Sequence, residues 1–247
     1  MTNNLNEQAT FETDFDNIKP KLKDLKDFSL SLGFQGNTVV VFRDLAEKLI
    51  TQINKSEVVI GCVAWLTHEG ILNALANPKH GVSIILQKED FLRPDVDEKP
   101  NWVKTLQSAY SKLTPCEYQA SGGWLETVES QPGKSFVPDI SIRCIGECNS
   151  KDKIIPRMHH KFLVFCKVEV EAPDRKIIVP YAVWTGSFNM TKNATKSFEN
   201  AVLLFEKRIA QAYYNEWQQL ILLSEKLDWN SPVVTPDVRF NTGKYFT

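Results

Sequence analysis

Apolar runs alternate with amphipathic stretches along most of the chain after about residue 37. Runs such as Glu57–Trp65 are largely apolar, which is typical of strands buried on both faces. Asp44–Asn54 instead places its leucines and isoleucines on one helical face. This alternation predicts a mostly parallel or mixed sheet covered by helices. The predicted strands are Thr38–Phe42, Glu57–Trp65, Val82–Gln87, Ile140–Ile145, Phe162–Phe165, Ala182–Thr185 and Ala201–Phe205, and the predicted helices are Asp44–Asn54, Glu69–Ala76, Trp102–Leu113 and Arg208–Lys226.

The pattern weakens at three places, which sets the expected domain organisation. Residues 1–36 are expected to form an N-terminal peripheral segment, with helical spacing over Ile18–Leu32. Residues 37–247 are expected to form one domain. An insertion over about residues 88–139 is marked by glycine and proline breakers, and an extended C-terminal strap is expected over residues 229–247.

Composition describes an ordinary globular chain of 247 residues, with 43% hydrophobic and 24% charged residues. The N-terminus is polar and acidic, and no apolar run approaches the roughly 20 residues needed to span a bilayer. A cytoplasmic protein without a membrane segment is therefore expected. The net charge is −1 overall, but residues 143–196 carry ten Lys or Arg against five Asp or Glu. Such asymmetry can focus an anionic ligand on one face, unless these cations lie on the outer face of a hairpin.

Five cysteines, an odd number, indicate reduced thiols. Cys144 and Cys148 have the spacing of half a metal site. A structural zinc ion needs four ligands, and no second pair stands at a convincing distance along the chain. No metal and no cofactor are therefore expected.

The stretch from Arg157 to Val202 carries the candidate chemistry. His159 and Lys161 stand two residues apart at the start of a predicted strand, so both side chains point the same way. Ser187 and Asn189 follow the next predicted strand, in the sequence Gly-Ser-Phe-Asn. With Glu199, one end of the sheet can gather an imidazole, an ammonium, a hydroxyl, an amide and a carboxylate. That set suits an anionic phosphodiester without a metal.

The residue types suggest a route for the reaction. A neutral imidazole can attack phosphorus and form a phosphohistidine, while a second imidazole protonates the departing oxygen and later activates water. Lys161 and Asn189 would hold the non-bridging oxygens. Ser187 could donate a further hydrogen bond, and Glu199 would orient an imidazole and favour its protonated state.

H-x-K, followed by G-S-x-N and E-N, resembles the signature of the phospholipase D superfamily, in particular its nuclease-like members with a single motif. The resemblance implies the same roles, with His159 as nucleophile, and an α/β fold in which helices flank a mixed β-sheet. Single-motif members pair two motifs across a two-fold axis, so the resemblance also implies a homodimer with a shared active site. One position departs from the family pattern, because Cys166 stands where the family has Asp.

Three functions from different classes remain open at this point. The first is a metal-independent nuclease acting on DNA or RNA, as in restriction or antiviral defence effectors, where a regulatory protein partner can be involved. The second is a phospholipid phosphodiesterase, and the third is an inactive binding module. His160 should face away from the site, because neighbouring strand residues point to opposite faces. The candidate catalytic residues are His159, Lys161, Ser187, Asn189 and Glu199, and the candidate substrate-binding residues are Lys153, Arg157, Lys192 and Asn200.

Overall fold

A computed structural model describes residues 30–31, 37–79, 81–89, 92, 101–120, 129–131, 134–135, 137–146, 157–231 and 233–238. The strands are β1 (Leu30–Ser31), β2 (Thr38–Val41), β3 (Val58–Val63), β4 (Val82–Gln87), β5 (Gln119–Ala120), β6 (Glu129–Gln131), β7 (Lys134–Ser135), β8 (Ile142–Ile145), β9 (Lys161–Ala172), β10 (Arg175–Gly186), β11 (Ala201–Leu204) and β12 (Glu225–Lys226). The helices are α1 (Leu45–Ile53), α2 (Glu69–Leu75), α3 (Asn101–Tyr110) and α4 (Lys207–Leu222), with a 3-10 turn at Ala194–Lys196.

One large sheet organises the described residues. Its strands lie in the order β1-β2-β11-β10-β9-β3-β4-β8-β12, and β5 pairs with β10. Strands β3, β4 and β8 run parallel to one another, whereas β9 runs antiparallel to β3 and to β10. Helices pack on both faces of this mixed sheet. The α/β fold class predicted from the sequence is therefore confirmed.

Alternating side chains of β9 separate the two layers of the core. Leu163 and Phe165 face the layer that contains α1 and α2. Phe162, Val164 and Cys166 face the layer that contains α4. The strand is buried on both sides because helices cover both faces, as its apolar run predicts.

The interval between the two motifs is a long antiparallel hairpin formed by β9 and β10. The cations at its far end contact hairpin residues or their neighbours: Arg175 pairs with Glu171 at 2.8 Å, and Lys167 lies 5.7 Å from the ring centre of Tyr181. Part of the local positive charge is thus at the end of the sheet opposite His159. For Arg175 and Lys167, the alternative that the cations of residues 143–196 lie on a hairpin is therefore correct.

Two element boundaries differ from the predictions. The helix predicted over Arg208–Lys226 ends at Leu222, because Glu225–Lys226 pair with β8 as strand β12. Leu30–Ser31 form a strand against β2, so the helix predicted over Ile18–Leu32 is wrong at its end; its earlier residues lie outside the described part of the chain.

The C-terminal segment lies against β8 and β12. Arg143 donates to the carboxylate of Asp237 and to the carbonyl of Ser224. The backbone N–H of Thr235 donates to Glu225 at 2.7 Å. These contacts hold residues 233–238 along the edge of the sheet. The boundaries of the strap, the insertion and the N-terminal segment stay predictions.

Among the described residues, no helix combines the length and the apolar character needed to cross a bilayer. No group of three or more His, Cys, Asp or Glu side chains is arranged to hold a metal ion in the same part of the chain. Cys144 is buried beside Glu225, its Sγ lying 3.6 Å from Oε1, and burial raises the pKa of its thiol to about 12. Cys148 lies outside the described residues.

Candidate active site

One edge of the sheet collects the residues of both motifs. The register pairs Val63 at the end of β3 with Lys161 at the start of β9. It also pairs Gly186 at the end of β10 with Ala201 at the start of β11. Strands β9 and β11 run antiparallel to β3, β4 and β10. Residues that precede β9 and β11 therefore meet residues that follow β3, β4 and β10.

His159 lies just before β9, with its side chain exposed at this edge. The ring of Trp65 meets it edge-on, with ring centroids 6.0 Å apart and planes inclined at 81°. The pKa of His159 is lowered from its ordinary value, first by partial desolvation and then by the positive charges of Lys161 and Arg157. The imidazole is therefore neutral at neutral pH, which is the state that can attack phosphorus.

Glu89 links the neighbours of His159. Its Oε1 accepts a hydrogen bond from Trp65 Nε1 at 3.1 Å and pairs with Arg157 at 2.9 Å. The carboxylate thus holds the indole in place and balances part of the positive charge near His159. The negative charge of Glu89 acts to raise the pKa of His159, against the larger effects that lower it.

Lys161 is buried although it carries an ammonium group, and only 9% of its surface is exposed. Its Nζ donates to the carbonyl oxygen of His159 at 2.9 Å. Burial lowers the pKa of Lys161, and the negative charge of Glu199 opposes that shift. The Lys161 side chain is therefore held at the sheet edge by its hydrogen bond to the backbone of His159.

Ser187, Glu199 and Asn200 form one hydrogen-bonded group. The Ser187 hydroxyl donates to the Glu199 carboxylate. Its oxygen accepts from the backbone N–H of Asn200 at 3.1 Å and from the Asn200 side chain at 3.3 Å. In this arrangement the Ser187 proton is directed at Glu199, and Asn200 donates to the Ser187 oxygen; the predicted roles of Ser187 in catalysis and of Asn200 in substrate binding stay predictions.

A close approach of two strands creates this geometry. A Cβ atom at Gly186 would lie 2.2 Å from the carbonyl oxygen of Asn200 and 2.7 Å from the Cα of Ala201. The carbonyl of Asn200 also accepts from the backbone N–H of Ser187 at 3.0 Å. Glycine is the residue that permits this approach, because any side chain would push the two segments apart.

Asn189 stands on a turn that is tied to β3. The next residue, Met190, donates its backbone N–H to the carbonyl of Trp65 at 3.1 Å. The Asn189 side-chain oxygen is buried without a hydrogen-bond partner. Buried polar atoms usually have partners, so this acceptor is suited to a donor that arrives with the substrate or by movement of a neighbour.

The other three predicted substrate-binding residues lie in different places. Arg157 lies beside His159, where it pairs with Glu89. Lys192 is placed in a neighbouring cleft. Lys153 lies outside the described residues.

His160 and Cys166 lie on the opposite side of β9. His160 Nε2 lies 3.2 Å from Glu216 of α4, and its ring contacts Phe162 with centroids 5.5 Å apart. Cys166 is fully buried in the layer under α4. Its position is five residues further along the strand than Lys161, about 17 Å away, so its thiol cannot reach the His159 edge.

Trp65 and Glu89 are part of the site but were missed by the sequence analysis. Each follows a buried parallel strand, Trp65 after β3 and Glu89 after β4. The carboxyl ends of adjacent parallel strands share one edge, and this signal could have identified both residues. The missing information was which of the two edges also receives the start of β9.

A relative among curated proteins shows the family of this chain. The uncharacterized protein L381 of Acanthamoeba polyphaga mimivirus is 32% identical over 198 residues, which span 77% of this chain and 67% of that protein. No family model matches the sequence.

Two solved structures resemble the chain over most of its length. NucT from Helicobacter pylori covers 76% of this chain and 98% of its own, with 14% identity and a TM-score of 0.46. Nuc from Salmonella typhimurium, described as a phospholipase D family member, covers 78% and 98%, with 17% identity and a TM-score of 0.45.

Proposed function

We propose that this chain, which belongs to the same family as the mimivirus protein L381, is a phospholipase D-like, metal-independent phosphodiesterase that cleaves DNA or RNA. The observation that carries the proposal is the meeting of His159, Lys161, Asn189 and Glu199 at one edge of the sheet. Their side chains supply a nucleophile, a cation, an amide and a carboxylate, which together can complete the reaction without a metal ion.

His159 acts as the nucleophile in this proposal. A nitrogen of its neutral ring forms a bond to phosphorus while the bond from phosphorus to the leaving oxygen breaks. The leaving oxygen takes a proton from a second imidazole, which enters the step protonated and leaves it neutral. Water then displaces His159 from phosphorus and gives a proton back to that second imidazole. The lowered pKa of His159 supports the first step, since it keeps the ring neutral.

Lys161 and Asn189 stabilise the charge that develops on the non-bridging oxygens. Lys161 holds an ammonium in a partly desolvated place, where its attraction to an anion is stronger than in water. A substrate phosphate would draw its Nζ from the carbonyl of His159. The side-chain oxygen of Asn189 accepts a donor once the site is filled, while its amide N–H donates to the phosphate.

Glu199 is held by Ser187 and acts on the protonated groups of the site. Its charge opposes the lowering of the Lys161 pKa by burial. The same charge can orient an imidazolium. Ser187 and Asn200 therefore act as positioning residues in this proposal. Arg157 can bind the phosphate only if its ion pair with Glu89 is broken.

The second imidazole comes from another copy of the chain. His160 points into the opposite layer, and His68 has Glu47, Glu69 and Lys192 as its charged neighbours. Of the histidines in the described part of the chain, only His159 is exposed beside Lys161. A homodimer that brings two His159 residues to one phosphate supplies both roles. Phe198, half-exposed directly before Glu199, provides apolar surface for that contact.

Cys166 does not argue for an inactive module. The thiol is buried on the far side of β9, where burial raises its pKa well above the ordinary value. The substitution therefore changes the packing under α4 and leaves the residues of the His159 edge in place. Roles in restriction or antiviral defence, and a regulatory protein partner, stay predictions.

Cleavage of labelled DNA and RNA in excess EDTA tests the proposal. Wild-type protein should cut at least one of these polymers in EDTA, and His159→Ala should abolish the cutting. His160→Ala is the matched control, since it removes the adjacent imidazole from the other face and should retain cleavage. Cutting that requires a divalent ion, or that survives in His159→Ala, would contradict the mechanism.

A further inference from the structure

A cleft of about 650 Å³ lies beside the candidate active site, between α2, α3 and the turn that carries Lys192. Its floor is apolar, formed by Leu72, Leu106 and Ala109. Its rim is polar and includes His68, Glu69 and Lys192. An apolar cavity with a few convergent polar groups is the usual form of a site for a small organic group.

The cleft is built on the same backbone as the active-site edge. Met190 donates to the carbonyl of Trp65, and the carbonyl of Met190 accepts from the backbone N–H groups of Thr67 and His68, each at 2.9 Å. Trp65 therefore contacts His159, while Thr67 and Lys192 line the cleft. Lys192 lies three positions after Asn189, a reach of at most about 10 Å. This corresponds to a few nucleotides of a strand.

Trp102 gives the cleft an aromatic wall. It stands in the first turn of α3 with 50% of its surface exposed. An indole that is open to solvent provides a face on which a base can stack without regard to sequence. The exposed ammonium of Lys192 lies at the same cleft and can neutralise a phosphate.

His68 and Glu69 supply directional hydrogen bonds. His68 Nδ1 accepts from the backbone N–H of Ile71 at 3.2 Å, so the neutral ring carries its proton on Nε2. Burial lowers the pKa of His68, which favours this neutral form. Glu69 can accept a hydrogen bond from the exocyclic amine of a base. Donors, acceptors and an aromatic face match a nucleobase better than an acyl chain.

We infer that this cleft binds an unpaired base of the substrate close to the scissile phosphate, with Trp102 stacking on the base and Lys192 holding a neighbouring phosphate. The inference rests on the proposed nuclease function and narrows the substrate to single-stranded DNA or RNA. A base in a duplex has both faces covered and its pairing edge occupied, so it cannot enter the cleft without being unstacked.

Binding measurements separate this inference from catalysis. Labelled single strands and duplexes of equal length are titrated with the full chain carrying His159→Ala. In that background Trp102→Ala should weaken single-strand binding about tenfold, and Trp102→Phe should keep most of it. Lys192→Ala should reduce the dependence of binding on salt by about one counterion. Leu223→Ala, which removes an exposed apolar side chain directly after α4, should change neither quantity.

The outcomes distinguish the two proposals. Loss of single-strand binding in Trp102→Ala, with no cleavage by the wild type, supports the cleft and contradicts the nuclease mechanism. Cleavage that depends on His159 but is unaffected by Trp102→Ala and Lys192→Ala overturns the cleft alone. Equal binding of duplex and single strand, absence of binding to either, or preferential binding of anionic phospholipid vesicles through Trp102 would also overturn it. Unchanged circular dichroism of each variant controls for folding.

Discussion

The indole of Trp65 stands edge-on to the imidazole of His159, at 6.0 Å between ring centroids. The same indole donates to Glu89, and Glu89 also pairs with Arg157. The pKa of His159 is lowered first by partial desolvation and then by Lys161, and the charged members of this group, Arg157 and Glu89, shift it further in opposite directions. Removing a member of this group should move the pKa of His159 in a direction that its charge determines.

Arg157→Gln should raise the pKa of His159, and Glu89→Gln should lower it further. The positive charge of Arg157 disfavours the imidazolium, whereas the negative charge of Glu89 favours it. The pKa is measured by NMR titration of the imidazole resonances in the absence of substrate. Arg208→Gln, at the start of α4 and the opposite edge of the sheet, is the charge-matched control and should leave the value unchanged. Shifts in the same direction for both variants would contradict this account.

This pKa also sets the pH dependence of cleavage. His159 must be neutral to attack, so activity should be lost as the pH falls through its pKa. Because that pKa lies below the ordinary value of about 6.5, the acid limb of kcat/KM should lie below this value in the wild type. In Arg157→Gln the limb should move to higher pH.

Ser187→Ala should lower kcat about tenfold, because Glu199 loses the hydroxyl that holds it. If Ser187 acts through Glu199, the same change in a Glu199→Ala background should have little further effect. Ser111→Ala, in the exposed turn after α3, is the control for loss of a serine hydroxyl. Equal and independent losses in both backgrounds would indicate that Ser187 contacts the substrate directly.

His68 should couple the stability of the fold to pH. It caps α2 by accepting from Ile71, so His68→Ala should cost about 1 kcal/mol, while His68→Asn should keep the cap. The pKa of His68 is lowered in the folded chain. As the pH falls below about 6.5, His68 therefore takes up a proton in the unfolded chain before it does so in the folded chain. Wild-type stability should then decline as the pH falls from about 6.5 through the folded pKa, whereas above about 6.5 protonation of this residue has no effect and its cap remains.

Urea unfolding at about pH 7.5 and about pH 5 measures this coupling. The difference in unfolding free energy between the wild type and His68→Asn should move in favour of His68→Asn at the lower pH. A difference that is independent of pH would show that His68 titrates normally in the folded chain.

Gly186→Ala should destabilise the protein by about 1–3 kcal/mol, because the new methyl group meets backbone that cannot move freely. Gly70→Ala is the matched control. A Cβ there meets side-chain atoms of His68 and Ile50, at 3.2 Å and 3.3 Å, and no backbone. Alanine also favours the helix. Its effect should stay within about 1 kcal/mol of zero. Thermal unfolding measures both, and similar losses for the two variants would contradict the close-approach argument.

The strands and helices that carry the site could be predicted from the sequence. β3, β4, α1 and α2 have strong periodicity and clear apolar runs, so their positions agree with the predictions within about two residues. The alternation of side chains along β9 predicted that His159 and His160 would face opposite ways. His160 does pair with Glu216 of α4, on the face opposite to His159.

The sequence could not show relations that depend on register. Glu225 and Lys226 follow the end of α4 by only a few residues in the sequence, yet they pair with β8 because the chain turns at Leu223. Trp65 and Glu89 come together only through the parallel pairing of β3 with β4. The hydroxyl of Ser187 donates to Glu199. This hydrogen bond requires the close approach of the two strands at Gly186. These are long-range contacts, and local patterns contain no information about them.

The central claim is that His159 forms a covalent bond to the phosphorus of a nucleic acid. The most direct measurement is mass spectrometry of protein quenched during turnover of a single-stranded substrate in excess EDTA. The account predicts a nucleotide adduct on the peptide that contains His159, absent from His159→Ala and present in His160→Ala. Cleavage that proceeds without an adduct on His159, or with an adduct on another residue, would contradict it.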